Sequence, residues 1–160
     1  MLDSLKIFLA DLAGGSRHQG HFVEHDYRLA AAALLIHVTT LDSAMSEPER
    51  DRLHAILKST FALDDAATIE LIDEATAADR EAVDLYHFTS LINRSLDEDG
   101  RRRMVEMMWE IVYADGRVTE FEENVVWRAA DLLGVTSRER IELRHRVAAR
   151  VADEASQAPR

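Results

Sequence analysis

The sequence repeats itself at an offset of 73 positions, and that echo narrows the folds open to it. LDSAMSEPE at 41–49 aligns with ADGRVTEFE at 114–122, pairing Asp42 with Asp115, Ser46 with Thr119, Glu47 with Glu120 and Glu49 with Glu122. Met45 matches Val118, and Leu53 matches Val126. Asp-Ser and Asp-Gly form tight turns, because Asp bonds the amides that follow it and both Asp and Gly tolerate a left-handed backbone. Ser46 and Thr119 then stand as helix N-caps. Glu49 and Glu122, three positions on, close capping boxes, and Met45 and Val118 are placed as hydrophobic staples. A helix–turn–helix unit is therefore expected twice.

The rest of the chain keeps the same period. Apolar residues at three- and four-residue steps predict helices over about 2–12, 24–41, 48–61, 65–77, 79–96, 100–114, 120–133 and 138–151. The alanine-rich helix over 24–41, with Leu29, Ala33, Ile36 and Thr40 on one face, is expected at the centre, since alanines let neighbours approach closely. Ile69 and Ile72 mark the apolar stripe of the fourth helix. No stretch alternates like a strand. The expected fold is all-α, a single compact domain of about seven to eight helices with an internal helix–turn–helix pseudo-repeat. It divides into an N-terminal helix and polar loop (1–23), the helical domain (24–151) and a frayed tail (152–160).

Composition excludes more than it names. At 160 residues, with 47% hydrophobic and 31% charged, the chain suits one soluble domain. It has no cysteine, hence no disulfide, thiolate metal site or cysteine nucleophile, and a cytoplasmic address is expected. A formal charge of −11 argues against nucleic acid as a partner and suits cations or a basic protein partner. The longest apolar stretch, Leu29 to Val38, is broken by His37 and too short for a bilayer, so no membrane insertion is expected. No phosphate loop, no G-x-S-x-G and no paired E-x-x-H occurs, so neither an enzyme nor an organic cofactor is expected.

Each repeat sets a turn carboxylate seven residues ahead of a helix-start carboxylate. If the halves pack around a pseudo-two-fold, Asp42, Glu47, Glu49, Asp115, Glu120 and Glu122 gather into one or two acidic clusters. Oxygen ligands of that kind suit a divalent metal cation, although neither turn has EF-hand spacing. The alternative is an interaction scaffold in which these acids serve only as helix caps.

The stretch YADGRVTEFEE, echoed by TLDSAMSEPER between apolar helices, resembles the TerB-like tellurite-resistance family over roughly 24–136. The resemblance implies an all-helical cytoplasmic, acidic domain of two similar halves, linked to tellurite and other stresses and to divalent-metal binding. Its acidic residues fall on Asp42, Glu49, Asp115 and Glu122. Ser43 departs from the pattern, standing where glycine is expected.

Other motifs carry less. His21-Phe22-Val23-Glu24-His25 matches H-x-x-E-H, and with His18 nearby it suggests adventitious zinc or nickel binding, with a zinc hydrolase as a remote third reading. His37 and His54 border apolar stripes and read as packed histidines; His87 and His145 have no catalytic neighbour. Arg101, Arg102 and Arg103 oppose the dipole of the helix they open, so Asp97, Glu98 and Asp99 are their expected partners. Trp109 and Trp127 are expected as core or half-buried anchors.

Overall fold

The computed structural model describes residues 26–40, 44–82 and 84–157, and among these every regular element is an α-helix. The helices are α1 (Tyr27–Thr40), α2 (Glu47–Thr60), α3 (Asp65–Glu81), α4 (Tyr86–Ser95), α5 (Glu98–Val112), α6 (Glu120–Leu132) and α7 (Ser137–Gln157). The helix expected over 2–12, and with it His18, His21 and His25, lies outside the described residues, as does Asp42.

Side-chain caps fix where the helices begin. Asp64 accepts from the amide of Ala67 at 2.7 Å to start α3, and Asp97 accepts from Gly100 at 2.8 Å to start α5. Ser46 and Thr119 start α2 and α6 as the repeat predicts. A further reciprocal pair starts α7, where Glu139 N–H donates to Thr136 Oγ1 (3.2 Å) and Thr136 N–H donates to Glu139 Oε2 (2.9 Å).

Helix α1 is the axis of the molecule. Arg28 to Ile36, Val38 and Thr39 are all buried, and α2, α3, α4, α5 and α6 pack around them. Its start is anchored by Asp26, which accepts from the Arg28 amide (2.9 Å) and forms a buried ion pair with the Arg28 guanidinium. The four consecutive alanines, Ala30 to Ala33, bring neighbouring helices near its backbone. The core continues through Leu53, Leu57, Leu71, Ile92, Met104, Met108, Trp109, Ile111 and Val126.

Three expectations need correction. Helix α3 does not end near Ala77 but runs on to Glu81, and the next helix begins at Tyr86 rather than near Asp79. It buries Ala67, Thr68, Leu71 and Ala75, whereas Ile69 is 53% exposed and Ile72 only partly buried. The reason is register: Ala67, Leu71 and Ala75 recur at four-residue steps on the face that α3 buries, chiefly against α1, and Ile69 and Ile72 fall beside that row. The last helix continues past Val151 to Gln157, its end tied to α2 by the ion pair of Glu154 with Arg52. Trp109 is a core residue and Trp127, 51% exposed beneath Arg140, is a half-buried one, both within the expectation.

Candidate functional site

The caps that open α2 and α6 are built alike. Ser46 (φ −69°, ψ 161°) and Thr119 (φ −81°, ψ 159°) have nearly the same backbone. The Glu49 amide donates to Ser46 Oγ (3.3 Å) and the Ser46 amide donates to Glu49 Oε1 (3.1 Å). In the second copy Glu122 N–H donates to Thr119 Oγ1 (3.1 Å) and Thr119 N–H to Glu122 Oε1 (3.2 Å). Met45 and Val118 pack against the core as staples. The turn before Thr119 is closed by Gly116, at φ +79°, with the Arg117 amide donating to Asp115 Oδ1 at 3.0 Å.

Capping consumes one oxygen of each glutamate and leaves the other. Glu49 and Glu122 are 5% and 6% exposed, and Oε2 of each is buried with no hydrogen-bond partner. Native structures rarely leave a buried carboxylate oxygen so, because the desolvation cost is not recovered. Glu122 also senses the charge of Glu49. Burial is the largest cause raising the Glu122 carboxyl above the ordinary range; its bonds to Thr119 oppose the rise, and the charges of Glu49 and Asp115 add to it.

The third capping box shows what a merely structural glutamate looks like. Glu139 has both oxygens engaged, Oε2 by Thr136 and Oε1 by Arg102 at 2.8 Å. Its carboxyl is held down to about 2, first by the Thr136 amide and then by Arg102. The same motif thus gives opposite electrostatics: a satisfied carboxylate beside a cation in α7, and paired unsatisfied ones in α2 and α6.

Of the other predicted ligands, Glu47 and Glu120 are exposed in the first turns of their helices, where a negative charge suits the dipole, and Asp115 is exposed in its turn. Among the described residues no group of three or more His, Asp or Glu side chains is arranged to hold a metal ion. What the fold brings within electrostatic reach is a smaller set: Glu122 feels the charges of Glu49 and Asp115.

Beside the first turn a cleft of about 830 Å³ opens between the C-terminal end of α1 and helices α2 and α3, walled by Ile36, Thr40, Met45, Leu53, Ile69 and Asp79. Asp79 Oδ1 lies 2.7 Å from His37 Nδ1, so His37 is a packed, hydrogen-bonded histidine. His54 stands 3.8 Å from Asp65, which is bonded to Lys58. Arg102 pairs with Asp99, as expected, but also with Glu139, while Arg103 turns to Glu106 and Glu110. Sequence reasoning missed Glu139, although T-S-R-E carries the capping-box spacing in plain view.

A family model described as tellurite resistance protein TerB matches residues 28–145, from the start of α1 into the first half of α7. No curated protein and no solved structure matches the chain.

Proposed function

The chain belongs to the TerB tellurite-resistance family, and on that premise we propose that it is a non-enzymatic, stress-linked module that holds a divalent cation at its paired capping turns. The observation that supports this reading is the pair of buried Oε2 atoms on Glu49 and Glu122, neither with a hydrogen-bond donor to neutralise it. A cation is the partner such oxygens lack. With carboxylate oxygens as donors, the site suits a hard ion of the calcium, magnesium or manganese kind rather than zinc. Glu49 and Glu122 would supply one oxygen each, Asp115 would contribute directly or through water, and Asp42 is the matching turn carboxylate of the first copy. The ion would supply positive charge that ties the two halves of the domain together.

Titration calorimetry on chelator-stripped protein tests this. Binding heat with calcium, magnesium or manganese, lost in Glu49→Gln/Glu122→Gln, is the expected result. No heat at millimolar metal, or heat that survives the double substitution, removes the reading.

A second reading makes the glutamates caps only and the molecule an interaction scaffold. What favours it is that both capping boxes are complete and that Ile69, Phe121 and Trp127 are each more than half exposed. It requires a melting temperature indifferent to metal.

A further inference from the structure

Helix α7 is 21 residues long, yet Leu143 and Val147 are its fully buried side chains, with Val151 partly buried behind them. Much of its remaining hold is ionic. Glu139 meets Arg102 of α5 at 2.8 Å, and Arg150 meets Glu106 and Glu110 of α5 at 2.9 and 3.1 Å. Glu154 meets Arg52 of α2 at 3.1 Å, and Arg144 pairs with Glu123 of α6. Solvent reaches these pairs, and an open crevice of about 480 Å³, lined by Asp99, Arg102, Glu106, Glu139, Glu142 and Arg146, runs along the seam between α5 and α7. Ion pairs of this kind are individually weak and are screened by salt.

Beneath the helix lies an aromatic side chain with an unmet need. Trp109 is 1% exposed, its ring covered by the Arg144 guanidinium at 5.1 Å, and its indole N–H has no acceptor. Arg144 also donates to the Tyr113 hydroxyl at 2.9 Å, so one α7 side chain seals both Trp109 of α5 and Tyr113, which caps that helix. Removing the cover would admit water to that N–H and recover a hydrogen bond that the closed state forgoes.

We propose that α7 is a salt-labile cover: it lifts from α5 and α6 while α1–α6 stay folded, and in lifting it bares Trp109. Segments with few buried apolar contacts and many solvated ones open first in a cooperative fold.

The test uses the full chain carrying Trp127→Phe, which leaves Trp109 as the one tryptophan of the two in the sequence. Hydrogen exchange and acrylamide quenching are measured at about 0.1 M and about 1 M NaCl, across which the Debye length falls from about 10 Å to about 3 Å. The expected result is roughly tenfold faster exchange of α7 amides through Leu143 and Val147 at high salt, with α1 amides unchanged and Trp109 quenching rising in step. Arg102→Ala/Arg150→Ala should reproduce the effect at low salt. Exchange of α7 and α1 amides together at both salts would overturn the proposal. So would acceleration confined to the residues beyond Val151, or quenching of Trp109 that stays flat.

Discussion

Glu49 and Glu122 close the same capping box at the starts of two helices, and each keeps one carboxylate oxygen buried without a partner. One oxygen sets the local fold, and the other takes no part in the cap.

Replacing Glu122 by Gln keeps an oxygen for the Thr119 amide and deletes the buried charge. Without metal, the variant should match or exceed the parent in urea midpoint, by up to about 1 kcal/mol. Glu122→Ala, which also loses the cap, should cost about 0.5–2 kcal/mol. The parent alone should gain stability from saturating calcium or magnesium, by about 2.7 kcal/mol at a hundred times the dissociation constant. Equal metal-dependent gains in parent and Glu122→Gln would contradict the assignment.

Two glutamates should leave opposite marks on stability against pH. Glu122 has its folded value raised, so the native state holds its proton more tightly than the unfolded chain does. Stability should therefore fall as pH rises from the unfolded value, about 4.3, through the raised one, and then level off. Glu139 is held at about 2, so its contribution is present above the unfolded value and lost as pH falls toward 2. Urea midpoints in EDTA from pH 2 to 7, for the parent, Glu122→Gln and Glu139→Gln, separate the two; each substitution should erase its own limb.

Ala62, between α2 and α3, sits at φ +52°, where a Cβ is unfavourable. Ala62→Gly should stabilise the protein by up to about 1 kcal/mol, the conformational gain being trimmed by the freer unfolded chain. A lowered melting temperature would refute it.

At Ala33, 0% exposed on α1, a larger side chain has nowhere to go. Ala33→Leu should cost about 1–3 kcal/mol by overpacking, read as a lower urea midpoint with an unchanged slope. A neutral result would mean that the seam with α3 is looser than its burial implies.

The elements were legible in the sequence because each capping signal is local: Ser46 to Glu49 and Thr119 to Glu122 span three residues and need no partner from elsewhere. Ile69 was misread for the opposite reason. Which face of α3 is buried depends on how it meets α1, and that contact selects the row of Ala67, Leu71 and Ala75 over the one that carries Ile69. The charge of Glu49 felt at Glu122 was equally hidden, since periodicity shows that two turns resemble each other and is silent on where they end up in space. The role of Asp42 lies outside what the described residues address.

The enclosure of α1 sets a rule for how this molecule is made. Its flanks are covered by α2, α3 and α4 from the first copy's side and by α5 and α6 from the second. Neither half of the described chain is therefore a finished object, and a ribosome must release the chain through Leu132 before α1 has all its walls.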